Sequence, residues 1–114
     1  MDCIFCKIIR KEIPAKIVFK NANIVAFSDI NPKARIHVLI VPKKHIPTFN
    51  DFRSSDGKLI SEILLAAKKI AKKLKIDSSG YRLVLNCGSD AGQLVNHVHL
   101  HILGGEKLGA KRDF

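Results

Sequence analysis

His97-Val98-His99-Leu100-His101-Ile102-Leu103-Gly104-Gly105 is the stretch on which the reading of this chain turns. Polar and apolar residues alternate from His97 to Ile102, the period of a half-buried strand. Such a strand, expected over His97 to Leu103, projects His97, His99 and His101 to one side at intervals of about 6.5–7 Å and Val98, Leu100 and Ile102 to the other. One face is core and the other is chemistry. A lone histidine reads most simply as a satisfied polar group, but three in strict alternation with an apolar back resist that explanation. Shared ligation of one metal by all three is strained, because the outer two stand about 13 Å apart along an extended strand. Two of them can share an ion.

Just upstream, Cys87-Gly88-Ser89-Asp90-Ala91-Gly92-Gln93 holds two glycines that let backbone N–H groups approach an anion, and Gln93 adds a side-chain amide. Alone it is a flexible turn; ahead of a histidine strand it reads as an anion cradle. Tyr81 to Leu85 predicts a fourth strand before it. Earlier still, Ile60, Ile63, Leu64, Ala67, Ile70, Ala71 and Leu74 keep helical spacing within Ser55–Lys75, with Ser54-Ser55-Asp56 as candidate N-caps. Ile36 to Val41 reads as a third strand stopped by Pro42, after a turn at Ile30-Asn31-Pro32. Ile17–Lys20 and Ile24–Phe27 flank Asn21-Ala22-Asn23 as a hairpin, and Cys3 to Ile13 reads as a short amphipathic helix ended before Pro14. Helix, three strands, helix, two strands predicts one α+β domain over residues 1–114, its five strands mostly antiparallel because the early connections are short.

Composition bounds the function. The chain has 114 residues, 46% of them apolar, enough for one real core. Twenty Lys and Arg against 10 acidic residues leave a net charge of +10, which attracts anions of any kind. Much of the excess sits in Lys68, Lys69, Lys72, Lys73 and Lys75, opposite the apolar stripe of the long helix, and reads as a solvated face. With no Trp and no repeated basic-aromatic pattern, nucleic acid is the weaker partner class. No stretch approaches the roughly 20 apolar residues of a membrane span, and Met1-Asp2-Cys3 opens without a charged leader, so a cytoplasmic protein without a membrane partner is expected. Three cysteines argue against a disulfide framework.

Cys3-x-x-Cys6 is by itself a weak motif, open to redox chemistry or simple burial. A tetrahedral structural zinc needs four sulfur or nitrogen ligands, and His45 after the third strand with His97 opening the fifth could complete the set. That would leave His99 and His101 free. Imidazole, with an ordinary pKa of about 6.5, is largely unprotonated at neutral pH and can attack phosphorus, forming a phosphohistidine that divides one displacement into two.

The chain closely resembles the histidine-triad (HIT) family, in particular its Hint-type nucleotide-binding hydrolases. The resemblance runs through Ile4-Phe5-Cys6-Lys7-Ile8-Ile9 with Ile13-Pro14-Ala15, Phe27-Ser28-Asp29-Ile30-Asn31-Pro32, Val41-Pro42-Lys43-Lys44-His45-Ile46, and Asn86 through Gly105. It implies that His99 takes a nucleotidyl group covalently and that water then releases the nucleoside monophosphate, with no catalytic metal. By the same resemblance His101 contacts the phosphate and assists the leaving group, and His37 orients and relays protons. Gln93, with Asn86 and Gly92, lies near sugar and phosphate; Asp29 accepts from the ribose; Phe5 and Ile30 line the base pocket. Bacterial members with the same cysteine pair are similar in using Cys3, Cys6, His45 and His97 for one zinc per chain, and the family implies a homodimer with strands continuing across the interface.

Leu94 stands where members often carry a polar side chain near the phosphate, Ser28 where some have histidine, and the C-terminal Trp of some relatives is missing. These departures bear on substrate preference. The expected activity is cleavage of nucleoside 5′-phosphoramidates or related purine nucleotides. The competing expectations are a dinucleoside polyphosphate hydrolase, a zinc-containing nucleotide-binding protein with little turnover, and a basic nucleic-acid binder, whose affinity would depend steeply on salt.

Overall fold

The computed structural model describes residues 3–111 and 114. Helix α1 covers Ile4–Ile9, followed by strands β1 (Ile17–Lys20), β2 (Ile24–Ser28) and β3 (Ile36–Pro42). After two short 3-10 turns come helix α2 (Gly57–Lys73), β4 (Tyr81–Val84), a further 3-10 turn at Ser89–Ala91, and β5 (Leu100–Gly104). The strands form one sheet in the order β1-β2-β3-β5-β4, and every pairing is antiparallel. The expected α+β class holds.

Local chemistry explains most boundaries. Asn21 Oδ1 accepts the N–H groups of Asn23 and Ile24, turning the chain between β1 and β2. α1 spans the apolar positions Ile4 to Ile9 but stops short of the expected Ile13, because Lys11 adopts a left-handed conformation (φ 62°) and the Arg10 and Lys11 N–H groups close the last turn. Pro42 ends β3 but belongs to it, paired with Ile24. α2 begins two residues later than expected. Asp56 does not cap it through its side chain but accepts the Arg53 N–H and the Lys44 ammonium instead.

The sheet carries a core on each face. On one, α2 lays Ile63, Ala66, Ala67, Ile70 and Ala71 over Ala26, Val38, Ile40, Leu100 and Ile102. On the other, α1 brings Phe5 against Val25, Phe27, Leu39 and Val41. The lysines at 68, 69, 72, 73 and 75 are exposed, as their spacing requires. Leu64, counted into the apolar stripe, is 48% exposed, because the stripe is wider than the sheet beneath it.

The largest departure concerns the histidine run. β5 starts at Leu100, so His97 and His99 precede the ladder. β4 ends at Val84, opposite His101, and although β3 runs on to Pro42 its pairing with this segment stops at Ile40–Leu100; the Val98 N–H bonds Ile46 O instead. The alternation survives in the extended segment: Phe5, on the α1 side, touches both the His97 and His99 rings, while Leu100 joins the core under α2. β5 ends where Gly105 turns at φ +80°, and a Cβ there would meet Ile36 Cγ1 at 2.9 Å. Gly105→Ala is expected to cost about 2–3 kcal/mol from backbone strain plus overpacking, read as a lower urea midpoint at unchanged slope. An unaltered midpoint would show that this corner carries no strain.

Candidate active site

Four histidines, His37, His97, His99 and His101, are buried on the α1 side of the sheet, and their hydrogen bonds determine their tautomers. The Lys33 N–H donates to His37 Nδ1 at 3.0 Å, so the His37 proton lies on Nε2. That Nε2–H donates to His101 Nδ1 at 2.8 Å, which places the His101 proton on its own Nε2. His101 Nε2 is buried and has no partner. A buried donor left unpaired costs about 1–3 kcal/mol, and such groups are kept where they serve a ligand. The Asp29 carboxylate lies 3.6 Å from His37 Nε2 and accepts the Asn31 N–H through its other oxygen.

His99 is oriented the opposite way. Its Nδ1–H donates to the His97 carbonyl at 2.8 Å, leaving the Nε2 lone pair free. The Phe5 ring stands edge-on to the His99 ring with centroids 5.1 Å apart, and the His101 ring is 4.9 Å away. The site therefore presents one bare imidazole nitrogen and, beside it, one N–H donor without a partner. Burial drives all four rings towards the neutral form. For His101, burial reinforced by His99 and His37 lowers the pKa from 6.5 to about 4. For His99 burial outweighs the His97 carbonyl and Asp29, which pull the other way.

Next to this group, Cys3, Cys6, His45 and His97 bring four potential ligand atoms within 4.8 Å of one another. Cys6 Sγ is 3.3 Å from His45 Nδ1 and 3.6 Å from His97 Nδ1, Cys3 Sγ is 3.4 Å from His97 Nδ1, and the two Nδ1 atoms are 3.2 Å apart. A tetrahedral zinc at ordinary bond lengths holds its sulfur and nitrogen ligands about 3.3–3.8 Å apart. The donor set and its spacing fit that ion. His97 is already in the ligating tautomer, since its Nε2–H donates to Pro42 O at 2.7 Å and leaves Nδ1 bare.

The Cys87–Gln93 loop leads from β4 towards the histidine segment. Gly88 and Gly92 both take φ +86°, open to glycine without strain, and carry the chain through the 3-10 turn between them. Gln93 is buried with its amide fully engaged: Oε1 accepts the Gly88 N–H, and Nε2 donates to Pro47 O and Val95 O. It braces the loop. Asn86 Nδ2 donates to Phe114 O at 2.5 Å. Phe5 is buried, whereas Ile30 and Leu94 are 85% and 93% exposed.

Residues 2–112 match the family model described as scavenger mRNA decapping enzyme C-term binding. The HIT family hydrolase of Legionella pneumophila is similar at 50% identity with a TM-score of 0.94, covering 97% of this chain and 99% of that one. The chain belongs to the HIT family of hydrolases. A histidine triad protein from Clostridium difficile superposes equally well, with a TM-score of 0.94, 46% identity and coverage of 97% and 96%. The purine nucleoside phosphoramidase of Escherichia coli K12 is 44% identical over 108 residues, 95% of this chain and 91% of that protein.

In this HIT hydrolase the sequence pattern brought forward His97, His99, His101 and the Cys3–Cys6 pair, and the family resemblance added His37. It offered no sign of the Lys33 N–H or the Pro42 carbonyl, which act through backbone atoms that any residue supplies. No helix among the described residues is long and apolar enough to cross a membrane.

The lowered histidine pKa values carry a sign that can be tested. A ring whose folded pKa lies below its unfolded one binds its proton more readily when unfolded, so stability is full above about pH 6.5 and is lost as pH falls towards the folded value. For His101, with a pKa of about 4, the loss between pH 6.5 and 4 is on the order of 3 kcal/mol. Thermal unfolding should show Tm falling across that interval, and less steeply in His101→Asn. Identical slopes in the two proteins would contradict a buried neutral His101.

Proposed function

We propose that this HIT hydrolase cleaves nucleoside 5′-phosphoramidates or closely related purine nucleotides through a nucleotidyl group carried on His99. The observation that carries the reading is the pairing of the bare His99 Nε2 with the unpartnered His101 Nε2–H. His99 Nε2 attacks the α-phosphorus, a P–Nε2 bond forms, and the P–N bond to the amine breaks. The amine leaves after taking up a proton. In the intermediate the His99 ring is positive, and its Nδ1–H remains held by the His97 carbonyl. Water then attacks the same phosphorus, gives up the proton that the first step consumed, and releases the nucleoside monophosphate. His101 Nε2–H donates to the phosphate or to the departing nitrogen, and His37 keeps His101 in that tautomer. The similarity to the Escherichia coli purine nucleoside phosphoramidase supports this substrate class over dinucleoside polyphosphates.

Asp29 takes the ribose hydroxyls, with Phe5 and Ile30 at the base. Asn86 and Gly92 lie near the sugar and phosphate, and Gln93 acts by holding the loop in shape. Leu94, 93% exposed just after Gln93, offers no polar contact to the leaving group. His99→Ala should abolish release of AMP from adenosine 5′-phosphoramidate, and intact mass after a brief incubation with the wild-type protein should show one nucleotidyl adduct on His99. Turnover by the alanine variant would refute the assignment, and faster cleavage of diadenosine polyphosphates would favour the other substrate class.

The structural zinc and the dimer belong to the same proposal. Cys3, Cys6, His45 and His97 hold one zinc per chain, which pins α1 to the chain leaving β3 and to the approach to β5. The outer edge of β4 pairs with no other strand among the described residues, and Leu83 on it and Leu64 and Leu65 on α2 are exposed. A second copy continuing the sheet would cover that edge. Native mass spectrometry should give two chains with two zinc ions. A monomer would remove the dimer, and a metal-free mass in zinc-supplemented buffer would remove the ion.

A further inference from the structure

The metal cluster and the nucleophile share a residue. His97 is fully buried and held at both ring nitrogens, with Nδ1 in the Cys3–Cys6–His45 cluster and Nε2–H on the Pro42 carbonyl. Its own carbonyl takes the Nδ1–H of His99. The peptide that carries this carbonyl lies outside the β3–β5 ladder, and its Val98 N–H is held by Ile46 O, the residue after His45 of the cluster. The cluster therefore fixes the carbonyl from both sides, through the His97 ring and through the chain at His45–Ile46. A second connection runs through Phe5, which sits between the two cysteines in sequence. Its ring stands edge-on to His97 at 5.9 Å and to His99 at 5.1 Å. Whatever moves Cys3 and Cys6 moves the wall against which the His99 ring rests.

We infer that His97 is a positioning residue for His99: the ion held by Cys3, Cys6, His45 and His97 keeps the His97 carbonyl where it fixes the His99 tautomer and aims Nε2 at the substrate. A neutral imidazole released from that carbonyl can carry its proton on either nitrogen, and the form protonated on Nε2 has no lone pair to attack with. Loss of the ion thus lowers the fraction of competent nucleophile, and of the groups proposed to hold the nucleotide it disturbs Phe5 alone. The effect falls mainly on the rate of bond formation, with a smaller loss of affinity through Phe5. This inference rests on the reading of His99 as nucleophile, but its first readout needs no substrate.

The test compares zinc-loaded protein with protein stripped by a chelator, both checked for native secondary structure by circular dichroism. Long-range proton–nitrogen correlation spectra of histidine-labelled protein report the tautomer of His99 directly. Zinc-loaded protein should show His99 protonated on Nδ1 alone, and the stripped protein a mixture of both tautomers. Single-turnover nucleotidylation from adenosine 5′-phosphoramidate should slow by about tenfold or more, with nucleotide affinity falling by a smaller factor than the rate. Should the stripped protein unfold, exchange of zinc for the larger cadmium ion takes its place, with the same tautomer mixing and slower nucleotidylation expected of the folded product. An unchanged His99 tautomer and an unchanged rate, in whichever of the two proteins is folded, overturn the inference. Turnover by zinc-loaded His99→Ala would strike the nucleophile assignment instead and would leave the tautomer result standing on its own.

Discussion

The pairing of β3 with β5 is the constraint on which the rest depends. These neighbouring strands at the heart of the sheet are drawn from segments about 60 residues apart, with Ile36 opposite Gly104 and Ile40 opposite Leu100. Their register does two things at once. On the α2 side it sets Val38 and Ile40 beside Ile102 and Leu100 in the main core. On the α1 side it brings His37 within hydrogen-bonding reach of His101. A slip of one residue would exchange the faces, pushing histidines under α2 and aliphatic side chains into the site. The stability of the core thereby enforces the geometry of the chemistry.

Burying that many imidazoles has a cost, and the fold offsets it by keeping the rings neutral and pairing most of their nitrogens. Lys33 N–H, the Pro42 carbonyl and the His97 carbonyl each satisfy one ring nitrogen, and His37 and His101 satisfy one another. Neutral rings have direction that charged ones lack, since each has one donor and one acceptor. A single backbone N–H, that of Lys33, consequently sets the proton positions along His37 and His101. Protonation of either ring would turn its accepting Nδ1 into a donor and break the chain of hydrogen bonds, which is why desolvation, the largest influence on each of these pKa values, serves the site as well as opposing its formation.

Much of this was legible in the sequence because it rests on side-chain identity and period. The α+β order, the β1–β2 hairpin about Asn21-Ala22-Asn23 and the body of α2 follow from patterns that local physics reads directly. The four clustered sulfur and nitrogen donors could be nominated because few residue types bind zinc. What escaped was set by long-range context. The expected strand over His97–Leu103 begins only at Leu100, since whether an extended segment joins a ladder depends on where its neighbours stop. Gln93 was expected to offer an amide to an anion, and the structure commits that amide to Gly88, Pro47 and Val95. Asp56 looked like a cap and is a bridge to Arg53 and Lys44. A polar side chain in sequence shows its capacity for hydrogen bonds; only the folded neighbourhood decides which are made.

The three histidines of the opening run illustrate the same point at the level of function. Residue type and spacing make His97, His99 and His101 equivalent, yet the backbone treats each differently. His97 donates its Nε2 proton to Pro42 O and keeps Nδ1 for the cluster of thiols; His99 donates through Nδ1 and keeps Nε2; His101 accepts at Nδ1 and keeps an Nε2 proton with nowhere to go. One carbonyl, one carbonyl and one neighbouring imidazole are enough to turn three identical side chains into an acceptor facing two thiols, an acceptor left free and a donor. Specialisation of this kind needs no unusual residue. It needs a buried site in which each proton has a single place to sit, and the two cores that flank the sheet provide it.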